Sequence, residues 1–271
     1  MIVTNIALTL GRIMTVEIKP IASLKDNYIW AIIDNNAREV IIIDPGTVAP
    51  VDAFIEEHSL NLLAIFITHH HWDHTNGVTE LKNRYQTMVY APQHDPVKDS
   101  DILMHEPEIL SIAGFPLSFS ILDIPGHTLG HIAYYAPGML FCGDTLFAAG
   151  CGRLFEGTAE QLYASLQKMA ALPDDTKVYC AHEYTLNNLR FAAAVEPGNQ
   201  HIADRIKHVT ALRKTDLPSL PSTLAEEKLT NPFLRCNRET IRTSVEQHAG
   251  KKLTTPVAVF TELRKWKDGF N

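Results

Sequence analysis

Several absences narrow what this chain of 271 residues can be. It has four cysteines, Cys142, Cys151, Cys180 and Cys236, and no Cys-x-x-Cys pair. In a chain of this size without a secretory signature they read as free thiols of a reducing compartment, the cytoplasm. No apolar run is long enough to span a bilayer. The stretch from Met1 to Met14 is short, carries Arg12 after its apolar part and has no small-residue cleavage site, so it is a poor signal peptide. Met14 offers an alternative translation start, which leaves residues 1–13 an open question. A basic excess is also missing. Lys and Arg number 24 against 31 Asp and Glu, a net charge of −7, which argues against nucleic acid or an anionic membrane as partner. Neither a Gly-x-Ser-x-Gly elbow nor a phosphate-binding Gly-x-x-x-x-Gly-Lys loop occurs, which weighs against serine hydrolases and nucleotide-dependent enzymes. There is no internal repeat and no low-complexity segment.

What is present is the composition of a soluble enzyme, 45% hydrophobic and 20% charged. Residues 16–181 read as alternating strands and helices. Tyr28 to Ile33 and Val40 to Ile43 are strands joined by an Asp34-Asn35-Asn36 turn. Val51, Phe54 and Ile55 form a helical stripe, and Leu62 to Ile67 is a buried strand. Further strands are predicted at Met88 to Tyr90, Ser118 to Leu122, Ile132 to Tyr135, Met139 to Cys142 and Val178 to Cys180. Thr158 and Gln161 form a capping box ahead of a helix. After Glu183 the pattern becomes helical, with helices near 184–195, 200–214, 223–229, 238–248 and 256–267. Thr223 with Glu226 reads as a second capping box, and Pro256 suits the first helical position behind Thr255. The expected division is an α/β part over 14–183 and a helical part over 184–271.

The densest chemistry follows the strand at Leu62. Thr68-His69-His70-His71-Trp72-Asp73-His74 sets four imidazoles and a carboxylate at its carboxyl end. Along an extended chain His69, His71 and Asp73 share a face while His70 and Trp72 take the other. His74 joins once the chain turns into the next helix. This cluster can serve two ions, with ligands that suit Zn²⁺ and also Fe or Mn. Similar residues recur beyond other strands, in Pro125-Gly126-His127-Thr128, Phe141-Cys142-Gly143-Asp144 and Cys180-Ala181-His182-Glu183. A surface polyhistidine run would be inert, and any one of these alone would be weak. Their shared placement after strands is the signal.

Thr68 to His74 matches the His-x-His-x-Asp-His signature of the metallo-β-lactamase superfamily. The other motifs resemble the glyoxalase II (hydroxyacylglutathione hydrolase) family within it: Asp26-Asn27-Tyr28, Gly143-Asp144-Thr145-Leu146-Phe147, Gly150-Cys151-Gly152-Arg153, Phe155-Glu156-Gly157-Thr158, His182-Glu183-Tyr184-Thr185 and Asn231-Pro232-Phe233. The resemblance implies an αββα sandwich followed by a helical C-terminal domain. It implies two divalent ions, one on His69, His71 and His127, the other on Asp73, His74 and His182, with Asp144 bridging them. It further implies hydrolysis of the thioester S-D-lactoylglutathione to D-lactate and glutathione by a metal-bridging hydroxide, with Asp73 and Asp144 also orienting that hydroxide. Arg153, Tyr184, Arg264 and Lys267 match the family's substrate contacts. Phe155 stands where some relatives carry tyrosine, so only a lining role is assigned to it.

Plainer readings stand beside these. His70 has the wrong parity for a ligand, His131 reads as structural, and Asp44 is either a turn residue or a support for a ligand histidine. Cys142 and Cys180 read as packing residues. Arg264 and Lys267, three apart on one helix, would pass for a solvated basic face without the resemblance. The rival functions are a glutathione-persulfide dioxygenase with one iron, which should lack the basic helical tail, a metal-dependent nuclease, and a non-catalytic metal-binding protein. Nothing in the sequence demands more than a monomer.

Overall fold

Strands buried on both faces set the architecture. The computed structural model describes residues 16–270, so the question about residues 1–13 lies outside the described residues. One sheet takes the order β1 (Val16–Ser23), β2 (Asn27–Asp34), β3 (Glu39–Ile43), β4 (Asn61–Phe66), β5 (Met88–Pro92) and β6 (Ile102–Met104). β1 to β3 pair antiparallel, and β3 to β6 pair parallel. Pro20 sits in β1, at the sheet edge where a missing backbone donor does least harm. The turn after β2 forms as its residues predict, with the Asp34 carboxylate accepting the Asn36 N–H at 2.9 Å.

The second sheet contains β7 (Ile109–Ser111), β8 (Ser118–Asp123), β9 (Ile132–Ala136) and β10 (Met139–Gly143). After a small hairpin, β11 (Leu146–Phe147) and β12 (Gly150–Cys151), come β13 (Lys177–Cys180) and β14 (Ser222–Thr223). Its order is β14-β13-β10-β9-β8-β7, with a parallel pairing only between β10 and β13. β8 and β10 flank an antiparallel β9 and therefore run the same way, as does β13. Their carboxyl ends reach one edge of the molecule together.

Alternation decides which side chains face which layer. Trp30, Ile32, Ile41, Ile43 and Phe66 turn inward to meet Phe119, Ile121 and Phe141 of the second sheet. Ile29, Ala31, Ile33, Val40, Ile42 and Ile65 turn outward, toward the α1 (Ala49–His58) and α3 (Val78–Tyr85) helices, whose Val51, Ile55, Val78 and Leu81 complete that cluster. Between these helices lies the short α2 (Trp72–Thr75). Phe66 stacks on Tyr134 with centroids 4.7 Å apart, and the Tyr134 hydroxyl donates to the Ile67 carbonyl at 2.9 Å. Truncating Phe66 to alanine would cost about 3–5 kcal/mol and loosen the strand end that leads into the histidines.

α4 (Ala159–Ala170) opens on the Thr158–Gln161 capping box, closed in both directions, and buries Leu162, Leu166 and Met169. The rest of the chain is α5 (Thr185–Val195), α6 (Gln200–Arg213), α7 (Leu224–Thr230), a single 3₁₀ turn (Pro232–Arg235), α8 (Glu239–Ala249) and α9 (Pro256–Asp268). Thr223 caps α7 by accepting the Glu226 N–H, but the box stays half made, because the Glu226 carboxylate lies 3.2 Å from Arg205. Phe191, Phe233, Phe260 and Leu263 from these helices belong to the same apolar cluster as the second sheet. The helical part thus packs onto the sandwich core. β6, β7, β11, β12 and β14, at two or three residues each, are too short for alternation to announce.

Candidate metal centre

Four strands deliver the site. β4 leads into Thr68 to His74, β8 into His127, β10 into Asp144 and β13 into His182. Two glycines permit the loops to close over one another. A Cβ on Gly46 would lie 1.8 Å from the Asp73 carbonyl oxygen, so only glycine lets the loop after β3 touch the ligand loop. Gly143 has φ +46°, and a Cβ there would meet the Thr68 hydroxyl at 2.3 Å.

Two sets of donor atoms converge. His69, His71, His127 and Asp144 form one, and Asp73, His74 and His182 the other. In the first, His71 Nδ1 lies 3.1 Å from His69 Nε2 and 3.0 Å from His127 Nε2. In the second, Asp73 Oδ2 lies 3.5 Å from both His74 Nε2 and His182 Nε2. Asp144 joins them: Oδ1 is 3.4 Å from His74 Nε2 and from His182 Nε2, and Oδ2 is 3.5 Å from His127 Nε2. A short helix supplies part of this. The chain turns helical at Trp72, so Asp73 and His74 enter from successive positions of α2, and strand alternation describes only His69 to His71.

These contacts are poor hydrogen bonds and good ligand spacings. His127 Nδ1–H donates to the Arg153 carbonyl at 2.9 Å, which leaves Nε2 a bare acceptor. His69 Nδ1 faces the Thr68 hydroxyl at 3.0 Å, while that hydroxyl donates to Asp44, so His69 Nε2 is bare too. Both bare nitrogens face His71 Nδ1, which can carry one proton at most. Donors bonded at about 2.0–2.1 Å to one tetrahedral ion lie roughly 3.3–3.4 Å apart, close to every spacing above. His74 Nε2 and Asp144 Oδ1 are buried with no hydrogen-bond partner, an omission that costs about 1–3 kcal/mol per group unless something else satisfies it. The donor set therefore fits two ions sharing Asp144.

Outer partners fix the rings. Asp44, buried and held in the left-handed region at φ 54°, accepts the Thr68 N–H at 2.8 Å and the Thr68 hydroxyl at 2.7 Å, and its Oδ2 lies 3.1 Å from His74 Nδ1. Asp44 is also near enough to His69 and His74 to count as a third ligand group, but both its oxygens are already engaged, so it supports and does not ligate. Asp26 sits 2.9 Å from His182 Nδ1, and Asn27 donates to Asp73 Oδ2 at 3.0 Å. His131 accepts the Asp144 N–H at 3.2 Å and stacks on His69, a structural role as its position predicts. His70 points away and pairs with Asp95, which also accepts the Thr128 hydroxyl. His70 is thus a clamp between two ligand loops. Asp26, Asn27 and Asp95 carry roles that sequence reasoning did not assign; Asp26 and Asn27 stood in a quoted motif, whereas nothing marked Asp95.

Electrostatics separate the two sets. Burial pushes His69, His71 and His127 below the ordinary histidine range. Burial acts the same way on His74 and His182, but there it is outweighed. Asp144 and Asp44 raise His74, and Asp144 with Asp26 raises His182. Burial would lift Asp144, yet His74 and His182 hold it well below the usual carboxylate range.

Beside the ligands lies a cleft of about 470 Å³, reaching from His127 and Asp144 to Phe147, Phe155, Tyr184, Arg153, Arg264 and Lys267. All four sequence-assigned substrate residues line it. Tyr184 stacks on His182 at 4.6 Å, and burial followed by the charges of Asp26, Asp144 and Asp73 raises its phenol, so the hydroxyl stays protonated. Lys267 donates to Asn187 at 2.8 Å and is pushed down to about 8, by burial and then by Arg264 and Arg153. Arg264 is buried; it donates to the Cys151 carbonyl at 2.9 Å and to Asp268 at 3.0 Å, with its Nε left unpartnered. Phe155 packs its ring on His71 and His127 at the mouth. All four cysteines are buried free thiols. No helix among the described residues is long and apolar enough to cross a membrane.

Residues 27–182 match a family model described as the metallo-beta-lactamase superfamily, and residues 183–270 match one described as the hydroxyacylglutathione hydrolase C-terminus. ETHE1 from Myxococcus xanthus shares the fold at 24% identity and a TM-score of 0.64, covering 94% of this chain and 91% of that one. The fold and the paired ligand sets thus define an αββα metallohydrolase of the metallo-β-lactamase class. Two curated relatives are narrower in kind. Hydroxyacylglutathione hydrolase of Nitrosomonas eutropha is 49% identical over 94% of this chain and 99% of its own length. The enzyme of that name from Alkalilimnicola ehrlichii is 50% identical over 93% and 98%. The chain belongs to the hydroxyacylglutathione hydrolase family.

Proposed function

We propose that the protein hydrolyses S-D-lactoylglutathione to D-lactate and glutathione, the second step of methylglyoxal detoxification. One observation carries the reading: the two ligand sets sharing Asp144 open into a cleft whose far wall is cationic, in a chain of net charge −7. His69, His71 and His127 would hold one divalent ion and Asp73, His74 and His182 the other, with Asp144 shared between them. Zn²⁺ suits the mixed imidazole and carboxylate set best, and Fe or Mn are accepted by the same donors. When bound, such a pair supplies Lewis-acid charge that polarises a carbonyl and makes hydroxide available near neutral pH.

The chain's own residues do the rest. Asp73, fixed by Asn27, and Asp144, fixed through its N–H by His131, present acceptor oxygens that orient the nucleophile. Lys267, Arg153 and the Arg264 guanidinium in the cleft wall receive the carboxylates of the glutathione moiety. Tyr184 donates its retained proton toward the substrate. Phe147 and Phe155 exclude water beside the reacting carbonyl. Glutathione departs as a thiolate, a good leaving group, which lessens the need for a general acid. In this reading residues 14–183 hold the metals and residues 184–271 supply three of the four polar substrate contacts, Tyr184, Arg264 and Lys267, in a cytoplasmic monomer whose partner is a small molecule. Protein loaded with two ions per chain should release glutathione from S-D-lactoylglutathione, followed by thiol appearance. A fully loaded sample without turnover overturns the assignment.

A further inference from the structure

The hairpin between Asp144 and Arg153 is anchored from behind by a buried charge cluster that the chemistry above does not use. At its tip Ala149 has φ +53°, a conformation that suits glycine. Its N–H donates to Glu227 Oε2 at 2.7 Å. Glu227 is fully buried on α7, and its other oxygen accepts from Arg205 of α6 at 2.7 Å. Asn231 Nδ2 faces Glu227 Oε2 at 3.1 Å, the Phe147 carbonyl at 3.1 Å and the Gly150 carbonyl at 2.8 Å. The hairpin's base is pinned separately, by the Gly152 N–H to the Thr145 carbonyl at 3.1 Å. On its other side the hairpin presents Phe147 to the cleft and offers the Cys151 carbonyl to Arg264.

A strained backbone persists only where its surroundings over-determine it, and a buried carboxylate is retained only at the expense of desolvation. Both costs are concentrated on one turn, which forms a cleft wall. We propose that Glu227, backed by Arg205 and acting with Asn231, is a positioning residue: it fixes the tip of the Leu146–Cys151 hairpin so that Phe147 and the Arg264 guanidinium stand ready for substrate. The inference rests on the thioesterase reading above. It assigns the cluster to substrate binding and leaves the metal ligands, which the pinned base secures, out of its reach.

The test is Glu227→Gln, with thiol labelling read alongside kinetics. Cys151 lies on the hairpin; Cys142 and Cys180 touch it, Cys142 through the Leu146 carbonyl at 3.3 Å and Cys180 through the backbone of Ala148, whereas Cys236 faces the Pro232 and Phe233 carbonyls of the 3₁₀ turn and serves as the reference thiol. The variant should keep two ions per chain, raise KM about 10-fold with kcat changed less than about 3-fold, and label Cys151 faster while Cys236 stays protected. Adding Ala149→Gly, which relieves the strained turn, should restore slow labelling and much of the KM. If Glu227→Gln alone does not fold because Arg205 loses its buried partner and keeps only the exposed Glu226, Arg205→Met with Glu227→Gln removes both buried charges and carries the same expectations. Unchanged KM and unchanged Cys151 labelling overturn the proposal, as does equal acceleration of Cys151 and Cys236, which means general loosening. Labelling needs no turnover, so a wild-type protein inactive on the thioester would sink the functional reading and leave the hairpin claim separately measurable.

Discussion

The two halves of the metal centre are built from similar ligands and supported in opposite ways. Behind His69 and His127 stand a hydroxyl and a backbone carbonyl, from Thr68 and Arg153. Behind His74 and His182 stand carboxylates, Asp44 and Asp26, and the half includes a further carboxylate in Asp73. The histidines of the first half are held below their ordinary range by burial, whereas carboxylates lift those of the second against burial. The first half therefore depends on where its loops lie, and the second on charge. Side-chain substitution can attack the second half's support directly, while the first yields mainly to displacement of a loop.

The severest way to break this contrast is to remove what the halves share. Asp144→Ala should lose the second ion and cut kcat by about 10³-fold or more, checked by metal analysis and turnover on one sample; retention of both ions would refute the bridge. A finer cut is Asp26→Asn, which should weaken metal affinity at the second half by about 10–100-fold and spare the first, measured by competition with a chelator. Equal loss from both halves would erase the distinction.

The cleft invites a parallel comparison between its two cationic anchors. Lys267→Ala should raise KM by about 10-fold at nearly constant kcat. Arg264→Ala should raise KM too and also lower the thermal midpoint, because Arg264 is buried against the Cys151 carbonyl. A KM unchanged in Arg264→Ala would show that the anchor role is empty, and an unchanged midpoint that its bond to Cys151 adds no stability. The smallest effect concerns pH. Lys267 loses its charge as pH rises through about 8, so KM for the anionic substrate should climb above that pH by roughly 3-fold and level off in Lys267→Ala.

Much of this was legible from sequence because the ligands cluster and follow buried strands. Thr68 to His74 announce themselves in seven residues, and the long strands other than β1 and the capped helices fall where periodicity and N-caps place them. Two kinds of residue escaped. Asp95 and Glu227 work through partners more than twenty residues away, or reached across the molecule, and no local spacing encodes that. Arg264 was visible as a basic residue on a helix, but its burial and its bond to Cys151 arise only once α9 docks on the hairpin. The parity argument brought Asp73 to the cluster by a route the chain does not take, since α2 begins at Trp72.

The ligand sets have a mechanical meaning as well. Each draws members from loops at the ends of both sheets: His69 and His71 with His127, Asp73 and His74 with His182. Any ion held there is a cross-link between the two layers, closing long stretches of chain at the edge where loops are the only cover. Such closures act on the unfolded chain in the manner of disulfides. A protein whose four thiols are all free thus has its rivets in imidazole and carboxylate, and its resistance to heat should follow its metal content.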